Sequence, residues 1–448
     1  MISRTRTPNA SANPVQIHVR YGIAHFGKSM LWQSSALLFL YYLTEICGLS
    51  PKLAGMAIGA TLLLSAVADG LVGAWLGRTA SSSASAKRQQ LIGIACTSAA
   101  FAAFCLSGLV EASLRASFVI ATLIAFRLLY AMADVPQNAL LSLFDVSNEV
   151  RAKLVGVRLA LGGVATIVVT GLAGPLLINQ QAKGSTLFAL LGLSIAIIAT
   201  ASAYWLARCP QESGDASCLG HGATGRTHGA PHPVPMLFPV AALMVMAFGI
   251  SLSTAIFERL EAYLAAYGMR GATSWSLMTL ISIGNLMAQF LWIGIHRRLG
   301  SMNGMLLAAF AQILAALGFG LFARGQPAMA AAVSIGCGIA FGAINAMLWT
   351  LLAQVASSGI VTLRFATFTA VSKTAQALAA FLLGYMLDAN SMATLAAPLS
   401  PLSLAMVGAP IVGALVCMVI VACVRAGSAT ISASTSVRSP GTSAGQWR

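Results

Sequence analysis

Six charged side chains fall where a lipid bilayer tolerates them least: Lys28, Asp69, Arg127, Asp134, Arg158 and Lys373 each lie well inside an apolar run. A charge at the centre of a spanning helix costs roughly 2.5–3.5 kcal/mol on insertion scales, so such groups face a partner or a cavity and mark ion or substrate paths. Arg127 and Asp134 are two helical turns apart and share one helix face, which predicts a single cavity seen by both. A structural salt bridge to another helix is the alternative for Arg127. Asp134 is followed by Val135 and Pro136. The proline removes a backbone donor and frees a carbonyl at membrane depth, predicting irregular backbone beside a carboxylate. Asp69, in the segment Ser65-Ala-Val-Ala-Asp69-Gly70, has no cation within a turn, so its partner must come from another span, and Lys373 is the candidate. An acid balanced between desolvation and a nearby ammonium can take and release a proton. Glu258, Arg259 and Glu261 fall late in their span and are expected at an outer interface, where long side chains snorkel.

The elements that position these charges are twelve apolar runs, near 21–45, 53–76, 91–110, 117–142, 153–177, 186–207, 236–263, 272–295, 302–322, 328–355, 363–387 and 401–425. Each reaches the roughly 20 residues that cross a hydrocarbon core about 30 Å thick. Hydrophobic residues make up 58% of the chain and charged ones 8%, against about 25% charged in soluble domains, so lipid must replace the missing polar surface. The expected fold is an all-α membrane protein with twelve transmembrane helices in two six-helix halves. Its parts are an N-terminal tail (1–20), a first half (21–207), a linker (208–235), a second half (236–426) and a disordered tail (427–448).

The net charge of +15 comes from Lys and Arg scattered singly, without the contiguous basic face that nucleic acid requires. With the N-terminus inside, the inner loops and tails hold sixteen of these cations, among them Arg78, Lys87, Arg88, Arg151, Arg208, Arg297 and Arg364. The outer loops hold five: Lys52, Arg115, Lys183, Arg270 and Arg324. The positive-inside rule then predicts both termini in the cytoplasm, in a bacterial inner membrane. The first run lacks a small-residue cleavage site and is expected to stay as a membrane anchor.

Most of the eight cysteines fall in apolar spans and imply no disulfide framework. The linker carries Cys209, Cys218, His221, His228 and His232, whose spacings match no standard zinc pattern, so no metal site is expected.

Several segments together resemble a known family. Tyr21-Gly22-Ile-Ala-His-Phe26-Gly27-Lys28, Tyr41-Tyr42-Leu-Thr44-Glu45 leading to Gly48-Leu49-Ser50, the Asp69 segment, Tyr130 to Pro136 and Val157-Arg158 are similar to the opening of the glycoside–pentoside–hexuronide:cation symporters, the melibiose-permease group of the major facilitator superfamily. Beyond residue 160 the likeness is weaker and is anchored by Lys373 within 371–381. The resemblance implies the major facilitator fold, a sugar site lined by the residues at Lys28, Asp134 and Arg158, and a cation site formed or flanked by Asp69 and Lys373. The chain also departs from that pattern. Ser29 stands where the melibiose permeases carry an aspartate, and Ser65 replaces the first acid of the cation pair. Asn138 takes an aromatic position, Ala131 a hydroxyl position, Ala68 a polar one, and Gly77 the usual loop acid.

Sodium needs several oxygen ligands, whereas a proton needs one carboxylate, so these losses favour H⁺ over Na⁺ as the coupling ion, with uncoupled facilitation a third option. Four cations, Lys28, Arg127, Arg158 and Lys373, face two acids, so the cavity attracts anions such as an acidic sugar. The expected function is a cation-coupled symporter of a sugar, acidic sugar or related small organic solute, working by alternating access as a monomer and needing no cofactor. Substrate contacts are expected from Lys28, Ser29, Arg127, Asp134, Asn138 and Arg158, and cation coupling from Ser65, Asp69 and Lys373. A proton-driven exporter is the alternative on the same fold. A membrane enzyme is disfavoured because the extramembrane acids show no His/Asp catalytic spacing, and a receptor without transport is the remaining class.

Overall fold

The computed structural model describes residues 14–79, 82–144, 148–173, 184–209, 239–268, 276–356, 361–397 and 399–436. Among them there is no strand. The first half contains α1 (Pro14–Leu37), a short α2 (Phe39–Tyr41) that runs into a π-helical turn (Tyr42–Ile46), α3 (Pro51–Thr79), α4 (Ser83–Cys105), α5 (Ala112–Leu143), α6 (Asn148–Ala173) and α7 (Gly184–Ala207). The second contains α8 (Val240–Tyr263), also continued by a π-helical turn (Leu264–Gly268), α9 (Ser276–Phe322), α10 (Pro327–Ala356), α11 (Val361–Ala389) and α12 (Pro401–Ser436). Helix α9 covers two of the expected spans. It breaks at Gly300, whose φ of 73° is a left-handed conformation that favours glycine.

Every expected apolar run overlaps helix, and ten stretches are long and apolar enough to cross a membrane. The two others are α1, which carries a polar face, and the shorter apolar stretch Ser276–Trp292. The chain ends differ from expectation. Helix α1 begins at Pro14, inside the stretch read as a tail, because Ile17 packs into a small core with Tyr21, Leu140, Phe144 and Leu206 while His18 bonds the carbonyl of Val150. Helix α12 likewise continues to Ser436. Of the linker, only Arg208 and Cys209 are described; Cys218, His221, His228 and His232 lie outside the described residues.

The two halves share one core at one end and keep separate cores at the other. The shared cluster brings Phe39, Tyr42 and Phe104 of the first half together with Phe257, Tyr263 and Leu383 of the second. At this end, called here the Glu45 end, Thr44 and Tyr263 hydroxyls lie 2.7 Å apart and Tyr267 donates to the Glu45 carboxylate. The two π-helical turns therefore meet across the half boundary. Beside them α3 and α11 pack backbone to backbone: a Cβ on Gly55 would lie 2.6 Å from Gly384 Cα, so only glycine permits this approach. Helices α6 and α9 add a third seam, where Thr170 donates to Ser282 at 3.3 Å. Towards the opposite end, Leu243, Trp292, Met347 and Phe368 form a core belonging to the second half alone, and the Ile17 cluster belongs to the first.

Pro136 does not interrupt α5, which runs as one helix through it. The carbonyl four residues earlier, on Met132, faces α4 at Gly93, where a Cβ would come within 2.3 Å of it. The freed group is thus covered by a close helix contact, and the irregular backbone expected beside Asp134 is not formed.

Candidate functional site

Helix α1 supplies the spine of the site. His25, Lys28, Ser29 and Trp32 recur at helical spacing and so form one polar face on a spanning helix. Lys28 is buried and its ammonium lies 2.5 Å from Oδ1 of Asp134 on α5. The other oxygen of that carboxylate accepts from Asn138 Nδ2 at 3.0 Å, one turn further along the same helix. Arg158 on α6 is half-buried and lies within electrostatic range of Tyr21 and Asp134, while the Tyr21 hydroxyl donates to the Gln137 carbonyl at 3.2 Å. Ser29 and His25 face α6 at Gly162, which leaves room for both. Nearby, Gln33 Nε2 donates to Thr166 Oγ1 at 2.6 Å. Lys28, Ser29, Asp134, Asn138 and Arg158 thus converge from α1, α5 and α6.

The second cluster joins the halves. Lys373 on α11 donates to the Asp69 carboxylate and, at 2.9 Å, to Ser65 Oγ, both on α3. Asp69 and Lys373 side chains are 13% and 8% exposed, so the pair is largely shielded from solvent. The remaining oxygen, Asp69 Oδ1, has no hydrogen-bond partner among the described residues. The candidate cross-span partner of Asp69 is therefore in place, and Ser65 sits beside it.

Trp32 lies between the two clusters. The Lys373 ammonium is 5.6 Å and the Arg127 guanidinium 5.3 Å from its ring centroid, within cation–π range. Its ring also packs on Tyr130 at 5.2 Å, one turn before Asp134.

Arg127 is placed differently from expectation. It is fully buried, donates to Ser35 Oγ at 3.2 Å, lies over Trp32 and Phe126, and leaves Nε without a partner among the described residues. No ion pair joins it to Asp134 among the described residues, where Lys28 takes that carboxylate. Sharing a helix face two turns apart did not bring the two groups into one pocket, because ring packing around Trp32 encloses the guanidinium nearer the Glu45 end. Glu261 and Arg259 are also corrected: both are buried, Arg259 donating to the Ala255 carbonyl, instead of snorkelling to an interface.

The residues missed in the sequence are His25, Trp32, Gln33, Thr166 and Tyr130. The spacing of polar groups along α1 is the signal that would have found the first three. Among the described residues no group of three or more His, Cys, Asp or Glu side chains comes together in a way that could hold a metal.

This constellation, an acid–ammonium pair within one half and a second pair between halves, lies in a two-half helical bundle. A family model described as MFS/sugar transport protein matches residues 20–425. The chain belongs to this family. It is a transporter and not an enzyme, and the match agrees with the melibiose-permease-like resemblance of its first half. A search of curated proteins finds no match. Among solved structures, the chain is similar to a D-xylose-proton symporter at 13% identity and a TM-score of 0.66, covering 90% of this chain and 96% of that one. The partially occluded, inward-open xylose transporter XylE from E. coli gives 14% identity and a TM-score of 0.64, covering 91% and 96%. The nucleoside transporter NupG, as a D323A mutant, gives 14% identity and a TM-score of 0.59, covering 92% and 99%. At these identities the likeness shows the fold alone, the major facilitator architecture.

Proposed function

We propose that this transporter is a proton-coupled symporter of a small organic solute, a sugar or acidic sugar, with Asp69 as the proton carrier. The observation that supports this reading is the Lys373 bridge to Asp69 and Ser65, because it ties α3 of one half to α11 of the other. Protonation of Asp69 removes the anion that holds Lys373, so proton uptake changes a contact between the halves, which alternating access must break and remake. Sodium fits less well. An ammonium already occupies the cationic position, and Asp69 Oδ1 and Ser65 Oγ supply few of the oxygens a hard cation needs.

The substrate reading rests on charge. Lys28 is matched by Asp134 and Lys373 by Asp69, which leaves two cations with no direct ion pair among the described residues: Arg127, enclosed against Trp32, and the half-buried Arg158 beside the Lys28 pair. An anionic group on the solute complements Arg158, supporting an acidic sugar over a neutral one. Read by the positive-inside rule, the Lys and Arg distribution supports cytoplasmic termini, and the Glu45 end, where the halves share one core, then faces outward. Counterflow of sugars, uronates and small carboxylates in proteoliposomes tests the reading. Saturable counterflow of an acidic sugar that accumulates under an inward proton gradient is expected. Accumulation driven by sodium alone would overturn the coupling assignment.

A further inference from the structure

We propose that the lipid-facing surface of the first half holds one anionic phospholipid, its acyl chain in a groove between α4 and α7 and its phosphate between Arg88 and Arg208. The groove has a volume of about 580 Å³ and lies on the periphery, away from Lys28 and Asp69. Small side chains, including Ala95, Ala99 and Ala196, hollow it out, and Leu91 and Tyr204 mark one end. From Leu91 to Ala102 on α4, and from Tyr204 to Leu193 on α7, the lining covers about 16 Å at a rise of 1.5 Å per residue. That matches about 15 Å, half of a hydrocarbon core. The occupant is therefore an acyl chain of one leaflet.

The charge at the mouth selects the headgroup. Arg88 precedes Leu91 by three residues and Arg208 follows Tyr204 by four, so each arginine lies one turn beyond the groove on the face that lines it. Arg88 is exposed, and Arg208 stacks 4.8 Å from the Tyr204 ring and donates to its hydroxyl. Two guanidinium groups at headgroup level, on both walls of one groove, suit a phosphate. The groove also contains a polar anomaly. Ser98 lines it, is 2% exposed, and its hydroxyl has no hydrogen-bond partner among the described residues.

Native mass spectrometry of the full-length protein, titrated with phosphatidylglycerol or phosphatidylcholine, tests the site. The expected result is one retained phosphatidylglycerol, weakened about tenfold or more by Arg88→Gln with Arg208→Gln, while phosphatidylcholine binding stays as in the native protein. Ala99→Phe, which fills the groove, should remove the retained lipid, and Ala95→Leu serves in its place if that variant unfolds early in a thermal scan. Arg297→Gln, an exposed basic residue of the second half, should have no effect. Equal retention of the two lipids by the native protein would overturn the proposal. So would phosphatidylglycerol retention unchanged in the arginine and groove-filling variants.

Discussion

Removing either member of the Lys28–Asp134 pair should have unequal effects, because the two side chains are unequally buried. The Lys28 side chain is 3% exposed and that of Asp134 23%. Asp134→Ala leaves an ammonium enclosed with no counter-ion, and breaking a buried pair in this way costs about 3–5 kcal/mol. Lys28→Met leaves a carboxylate that keeps its bond from Asn138 and some contact with water. Its cost should fall to about 1–3 kcal/mol, the range for an unsatisfied buried polar group. Lys28→Met with Asp134→Leu removes both charges and should recover about 2 kcal/mol relative to the sum of the single changes, since a close pair does not behave additively. Unfolding of the purified variants by a denaturing detergent, followed by circular dichroism, measures all three. Equal losses in the two single variants, or strict additivity in the double one, would refute the reasoning and place the pair in water.

Arg158→Ala should weaken binding of an acidic sugar about tenfold or more, and should do so more than Asp134→Ala, because it removes the attractive charge and leaves Asp134 less opposed; titration calorimetry compares the two. Gly384→Val should hold the Glu45 end open, because a side chain there meets backbone atoms of Pro51 and Gly55 at 2.8 Å. Its reporter is Cys47, which is buried in the loop after the first π-helical turn. Burial pushes its thiol up to about 11, so at pH 7 it is protonated and slow to alkylate. Opening that end returns the thiol towards its ordinary value, so the pH at which alkylation becomes fast should fall in Gly384→Val, read by mass spectrometry of the Cys47 peptide. For topology, a cysteine introduced at Ser213 in the linker should resist an impermeant maleimide added to intact cells, and labelling from outside would reverse the orientation.

The apolar runs were legible because a spanning helix must be apolar almost throughout its length, and helix formed in each of them. Their ends were less so. Pro14–Arg20 reads as polar yet folds onto Leu140 and Leu206, a long-range packing that composition does not encode. Within the site, the partner of Asp69 could be named because a buried acid without a local cation demands one from another helix. The opposite held for Arg127. Helical spacing specifies a face but not which neighbouring helix closes over it, and here Trp32 and Phe126 enclose the guanidinium apart from Asp134. Glu261 was misplaced for a similar reason: its position late in α8 suggested an interface, but the π-helical turn carries the chain on to Gly268 and leaves Glu261 inside. Trp32 escaped notice because an aromatic residue in an apolar span carries no charge to mark it, although it lies in sequence with His25, Lys28 and Ser29 on the polar face of α1.

The central claim is that Asp69 carries the coupled proton by releasing and recapturing Lys373. The most direct test compares uphill accumulation under an imposed proton gradient with equilibrium counterflow, in proteoliposomes containing Asp69→Asn. A neutral amide cannot exchange a proton, so accumulation should be lost while counterflow persists. Accumulation equal to that of the native protein would contradict the account.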